Sequence, residues 1–139
     1  MDSAERIEDF LRGTAYAVVG ASTDRAKYGN KVLRCYLQRG RRVIPVHPTQ
    51  REIEGVPCVR DLYALPEPVH GVSIITPPPV TERVVEDAAA CGLTRLWMQP
   101  GAESPRALQR AEELGLSVIA GGPCLLVVLG FREDASAPR

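Results

Sequence analysis

Short apolar runs alternate along the chain with longer stretches of helical spacing. The runs Ala15–Gly20, Val43–Val46, Gly71–Ile75, Thr94–Met98 and Leu116–Ala120 are nearly continuous in apolar residues. Runs of that length and composition predict strands covered on both faces. Between them, Asn30–Gln38 places Leu33, Tyr36 and Leu37 on one face, and Val80–Cys91 turns Val84, Val85, Ala88 and Ala89 inward. The segment opened by Ser104-Pro105 lines up Leu108, Ala111 and Leu114, with a capping serine and a first-turn proline. Gly40, Gly92 and Gly115 stop these three helices. A helix also precedes the first strand, carrying Ile7, Phe10 and Leu11, capped by Asp2 or Ser3 and ended by Gly13. Residues 49–70 pattern weakly, with a short helix over Arg60–Leu65. Pro45 is awkward for a central strand and is expected at the strand's end, where a ladder bond is not required. The polar tail after Gly130 is read as disordered.

Strand–helix alternation at this period predicts an α/β domain with a Rossmann-like, three-layer architecture and a five-stranded, doubly wound parallel sheet. The chain of 139 residues is read as one domain. Lys+Arg and Asp+Glu are both 17, which argues against a broad electrostatic grip on nucleic acid or on an anionic membrane. The only lysines, Lys27 and Lys31, stand together where the first helix after strand one begins. Cys35, Cys58, Cys91 and Cys124 have long gaps and no CxxC pair, so a zinc site is not expected. The acidic start has no apolar signal core, and the longest uncharged run is broken by Gly121-Gly122-Pro123. A cytoplasmic protein with no membrane segment is the expectation.

Ligands of open parallel sheets sit beyond the carboxyl ends of the strands. The segments leaving the strands here are Gly20-Ala21-Ser22, His47-Pro48, Thr76-Pro77-Pro78, Gln99-Pro100-Gly101-Ala102 and Gly121-Gly122-Pro123-Cys124. A tight turn at Gly20, a helix N-terminus near Asn30 and two lysines beside it favour a phosphate or diphosphate. The dinucleotide fingerprint GxGxxG is incomplete, since Gly20 is followed by Ala21-Ser22-Thr23-Asp24. Strand two ends in His47-Pro48 with no carboxylate for a ribose, which weakens an NAD reading. No P-loop pattern occurs. His47 has no evident partner in sequence for acid–base work, and no catalytic residue is assigned. Trp97 and Cys124 are read as core residues, Arg41-Arg42 as solvated on the opposite rim.

The blocks Val18-Val-Gly-Ala-Ser22, Lys27-Tyr-Gly-Asn30, Val43-Ile-Pro-Val-His-Pro48, Pro77-Pro78, Leu96-Trp-Met-Gln-Pro-Gly-Ala-Glu-Ser104 and Gly122-Pro-Cys124 together resemble the stand-alone CoA-binding domain family. That family is related to the CoA-binding domain of the succinyl-CoA synthetase alpha subunit. The resemblance runs from about Ala15 to Gly130 and rests on the order and spacing of the blocks. It implies a five-stranded Rossmann-like sheet and coenzyme A as ligand. Carried over by position, Gly20, Ala21 and Ser22 meet the diphosphate, framed by Lys27, Gly29 and Asn30, with Lys31 neutralising charge. His47 and Pro48 border the ribose and adenine, Thr76, Pro77 and Pro78 wall the adenine side, and Gln99, Gly101 and Ala102 lie toward the pantetheine. The family usually has Asn at the place of His47 and Arg at the place of Pro123. The function expected is a CoA-binding module without catalysis of its own, its partner a small molecule, CoA or an acyl-CoA, and its assembly a homodimer. Two alternatives stay open: a small NAD(P)-dependent oxidoreductase, and a CoA-linked thiol redox protein using Cys124.

Overall fold

The computed structural model describes residues 1–135. Five parallel strands form the main sheet: β1 (Ala15–Val19), β2 (Arg42–Val46), β5 (Gly71–Ile74), β6 (Arg95–Met98) and β7 (Ser117–Ile119), in the order β2-β1-β5-β6-β7. β1 is followed by α2 (Tyr28–Gln38), β5 by α3 (Pro78–Ala90), β6 by α4 (Pro105–Glu113), and β7 by α5 (Leu125–Leu129); α1 (Ser3–Leu11) leads in. The expected doubly wound sheet is what the chain forms.

Alternation along each strand feeds two cores. Tyr16 and Val18 of β1 pack with Phe10, Val32, Leu33, Tyr36, Trp97 and Leu125, under α1, α2 and α5. Ala17 and Val19 face the other way, against Val84, Val85, Ala88, Ala107 and Ala111 of α3 and α4. Tyr16 stacks on both Phe10 and Tyr36, with ring centroids 5.3 and 4.9 Å apart. The buried tyrosine hydroxyls are partnered: Tyr36 with Ser73 Oγ at 2.6 Å, and Tyr16 donating to the Phe10 carbonyl at 2.7 Å. Trp97 is fully buried, and its indole N–H donates to the Pro123 carbonyl.

Several positions differ from the sequence expectation, each for a local reason. α3 starts at Pro78 rather than Val80, because proline suits the first helical turn. Pro45 lies inside β2, which tolerates it because β2 is the sheet's edge strand. Its carbonyl still accepts from Val59 N–H, and His47 N–H donates to the Val59 carbonyl. Within the weak stretch, β3 (Glu52–Ile53) and β4 (Val56–Pro57) make an antiparallel hairpin, followed by a 3-10 turn at Leu62–Ala64. Arg41 is not solvated: its guanidinium donates to the carbonyls of Leu11 and Gly13 and to the Tyr16 hydroxyl. The segment from Phe131 to Ala135, read as part of a disordered tail, lies along α2. There Gln38 bonds the Arg132 backbone through both ends of its amide, and Arg34 grips Glu133. Residues 136–139 of that tail lie outside the described residues. Among the described residues no helix is long and apolar enough to cross a membrane.

Candidate functional site

The crossovers from β1 to β2 and from β5 to β6 run in opposite directions along the sheet, and the rim opens where they diverge. Two adjoining recesses occupy that rim. The larger, a cleft of ≈ 590 Å³, is floored by Val19 and Val46 and walled by His47-Pro48, Arg60–Leu62, Thr76 and the exposed face of α3. The smaller, a notch of ≈ 400 Å³, is bounded by Gly20, Ala21, Ser22, Lys27, Tyr28, Gly29, His47 and Ile75. Gly20, Ala21 and His47 belong to both, so the recesses are continuous.

Backbone packing shapes the notch. Gly20 has φ +96°, and a Cβ there would lie 2.0 Å from the Ile75 carbonyl oxygen. A Cβ on Gly29 would lie 2.0 Å from the Gly20 carbonyl oxygen. The two glycines thus let β1, the exit of β5 and the first turn of α2 meet backbone to backbone. Their service to the site is indirect: they set the amide positions rather than make room for a ligand.

The helix N-termini on the described residues differ sharply in what they offer an anion. α1 is closed by a capping box from Asp2 and Glu5, and α4 by Ser104, whose hydroxyl accepts from Ala107 N–H. α3 begins Pro77-Pro78-Pro79, which removes three N–H donors, and the Val80 and Thr81 amides turn back to the Pro77 carbonyl. α2 has Lys27 at its N-cap and no side-chain cap. The amides of Tyr28, Gly29 and Asn30 have no acceptor among the described residues, the first inward bond being Lys31 N–H to the Lys27 carbonyl. Two of these open donors, on Tyr28 and Gly29, border the notch together with Lys27 and the positive end of the helix dipole, and the Asn30 amide lies just behind.

The expected residues divide into three groups. Gly20, Ala21, Ser22, Lys27, Gly29, His47, Pro48 and Thr76 border the two recesses. Asn30 and Lys31 sit behind the notch. The Asn30 side chain is fully buried: Nδ2 donates to the Ser22 carbonyl (2.9 Å) and to Glu54 Oε2 (3.1 Å), and Oδ1 accepts from Arg34 Nε (2.6 Å). Only its backbone N–H is left for a ligand. Lys31 Nζ lies 3.7 Å from the Glu133 carboxylate. Pro77 and Pro78 begin α3 above Thr76 without lining either recess. Gln99, Gly101 and Ala102 follow β6 and line neither recess, Gln99 and Ala102 being buried.

Gln99 carries an unusual signal. Its Oε1 accepts from Leu125 N–H at 2.9 Å, while Nε2 is buried without a partner. A buried donor left unpaired is costly and uncommon. Tyr28 joins this cluster, its hydroxyl 3.3 Å from Gln99 Oε1 and in hydrogen-bond contact with Cys124 Sγ. Burial, then the Cys124 contact, pushes the Tyr28 phenol well above its ordinary acidity constant, so it keeps its proton. His47 Nδ1 accepts from the N–H of Thr49 (3.1 Å) and Gln50 (3.0 Å), which fixes the turn after β2 and leaves Nε2 as the donor of the neutral ring. Among the described residues no group of three or more His, Cys, Asp and Glu is placed to hold a metal.

Sequence reasoning missed Arg60, Asp61 and Leu62, which come from the weakly patterned stretch, and the face of α3 that borders the cleft. That face was readable: Val80, Arg83, Val84 and Asp87 follow i, i+3, i+4, i+7 spacing and all line the cleft.

Residues 14–130 match a family described as the CoA binding domain. The chain belongs to that family. As a CoA binding domain it is 34% identical over 76 residues to an ADP-forming acetate–CoA ligase of Archaeoglobus fulgidus, a match spanning 55% of this chain and 11% of the ligase. The chain thus covers about a tenth of that relative's length. It is 29% identical to the uncharacterized protein YneT of Bacillus subtilis over 116 residues, 84% of this chain and 86% of YneT. Among solved structures, a conserved hypothetical protein from Pyrococcus furiosus superposes with a TM-score of 0.78 at 39% identity, over 82% of this chain and 97% of that one. The family expected from the motif blocks and the fold both stand.

Proposed function

We propose that this chain binds coenzyme A at the rim of β1, β2 and β5 and carries out no covalent step itself. The CoA diphosphate occupies the notch, where the Tyr28, Gly29 and Asn30 amides, the Ser22 hydroxyl and Lys27 supply donors and positive charge. The adenosine lies in the cleft between His47-Pro48 and the Val80–Val84 face of α3. The single observation that carries the reading is the open first turn of α2, set beside a cleft of nucleoside size while α3 is stripped of donors by proline and α4 is capped by Ser104. Family membership supports CoA as the nucleotide. The residues fit such a group: an anion in the notch satisfies the open amides of the first turn of α2 beside Lys27.

CoA when bound brings a thiol. For an exchange reaction Cys124 would need a base, and its hydrogen-bond partner is the Tyr28 phenol, which holds its proton. The binding reading is therefore preferred to thiol chemistry. An oxidoreductase is disfavoured because β2 ends in His47-Pro48, with no acid there to take ribose hydroxyls.

Calorimetric titration with CoA, dephospho-CoA, NAD and NADP tests the proposal. Micromolar binding of CoA with no heat from NAD or NADP is the expected result. Tighter binding of either nicotinamide nucleotide overturns it.

A further inference from the structure

The cleft is lined by two exposed guanidinium groups that make no side-chain hydrogen bond among the described residues. Arg60 enters from the segment before the 3-10 turn and Arg83 from α3, and both line the cleft and are exposed. Arg83 makes no ion pair or side-chain hydrogen bond among the described residues. Arg60 comes only within 3.8 Å of Asp61, beyond hydrogen-bond reach. Arg34 is engaged by Asn30 and Glu133, Arg95 by Asp9 and Arg110 by Glu86, whereas Arg51, Arg106 and Arg132, which are as loosely held as Arg60 and Arg83, line neither recess.

The acids lining the same cleft are already satisfied. Glu86 takes two bonds from Arg110, at 2.6 and 3.1 Å, which hold its carboxyl below the usual range. Asp87 accepts from the Tyr63 hydroxyl at 3.2 Å, and Asp61 caps the 3-10 turn by accepting from Ala64 N–H. Acids tied to neighbours beside two unengaged arginines leave an anion-accepting mouth. It is separate from the notch, since neither Arg60 nor Arg83 borders the notch and Lys27 does not border the cleft.

We infer that Arg60 and Arg83 form a second phosphate subsite that takes the 3′-phosphate of the CoA ribose. The assignment rests on the CoA reading above. With the 5′ end of the ribose leading into the notch, its 3′ side faces outward to this mouth. Guanidinium groups from two elements suit a phosphomonoester dianion, which accepts paired N–H donors from each. The subsite makes the chain select CoA over ligands that share its diphosphate and adenine but lack that phosphate.

Binding is measured by calorimetry for CoA and dephospho-CoA on the wild type, the Arg60→Gln/Arg83→Gln double variant and Lys27→Ala. The wild type is expected to hold CoA about 10- to 100-fold more tightly than dephospho-CoA, the range of charge-assisted bonds. The double variant removes that preference by lowering CoA affinity alone, whereas Lys27→Ala weakens both ligands by the same factor. Equal wild-type affinity for the two ligands, or a CoA preference retained in the double variant, overturns the subsite while leaving the CoA reading intact. A wild type that binds neither ligand overturns the CoA reading and the subsite with it.

Discussion

Gly29→Ala sets two well-measured effects against each other. On propensity alone the change stabilises: alanine is favoured over glycine within a helix by about 0.8–1.0 kcal/mol, less in a first turn. Sterically it is forbidden as built. The new Cβ would stand 2.0 Å from the Gly20 carbonyl oxygen, 3.0 Å from its carbon and 3.3 Å from Ala21 Cα, all backbone atoms. No rotamer relieves the clash, so α2 must retreat from β1 by roughly 1.4 Å to reach ordinary contact. Overpacking of this kind costs about 1–3 kcal/mol, and the absence of a yielding side chain puts it at the upper end. The net expectation is a loss of about 2 kcal/mol. With a urea slope of about 1–3 kcal/mol per molar, the midpoint falls by roughly 1 M. The single, buried Trp97 reports the transition by fluorescence. The same retreat carries the Tyr28 and Gly29 amides away from any anion in the notch, so CoA affinity falls with stability. A variant at least as stable as wild type, with an unchanged slope, would refute the backbone-to-backbone packing on which the notch depends.

Two further outcomes follow from the same geometry. Asn30→Ala removes the carbonyl that Arg34 Nε bonds and the amide that ties the Ser22 carbonyl to the β3–β4 hairpin; the loss should be about 2–3 kcal/mol in urea unfolding, and a change under 1 kcal/mol would contradict the network. The Asp9 carboxyl is held below its ordinary value of 3.8, chiefly by the hydrogen bond from Arg95, so the stabilisation is complete above that pH and lost as the pH falls through the lower folded value. The melting-temperature gap between wild type and Asp9→Asn should accordingly be constant near neutrality and close in acid, and a gap that widens in acid would reverse the sign.

How far the fold was legible follows from how each segment repeats. α1 to α4 and the five parallel strands carry apolar spacing over enough residues to be distinguished. The β3–β4 hairpin could not be, because each strand has only two residues and the turn rests on Glu54 at φ +52° beside Gly55 at φ +76°. α5 was missed for the opposite reason. Leu125–Leu129 is apolar throughout, with Val127 80% exposed, so no polar face marks it as a helix. In the site, the glycines were legible as positions of constraint but not as to what constrains them. Gly20 yields to the Ile75 carbonyl, far away in sequence, and Gly29 to Gly20 itself across the loop that joins β1 to α2. Arg41 was misread because its three acceptors lie at the end of α1, in the turn after it and in β1, far back in the sequence.

The two departures from the family's usual residues have unequal physical consequences. An asparagine after a strand accepts backbone N–H groups just ahead of it and so fixes the turn. His47 does the same work with Nδ1, which takes the amides of Thr49 and Gln50, and its Nε2–H then adds a donor at the junction of cleft and notch. That change preserves the turn and alters only what is presented to a ligand. Pro123 is different. Its structural contact is a carbonyl accepting from Trp97 Nε1, which any residue supplies, so the fold survives while the cation expected there is gone. Positive charge bordering the two recesses therefore rests with Lys27 at the notch and with Arg60 and Arg83 in the cleft. On the proposed CoA reading, the chain grips the phosphates through these three cations and leaves the pantetheine to uncharged surroundings.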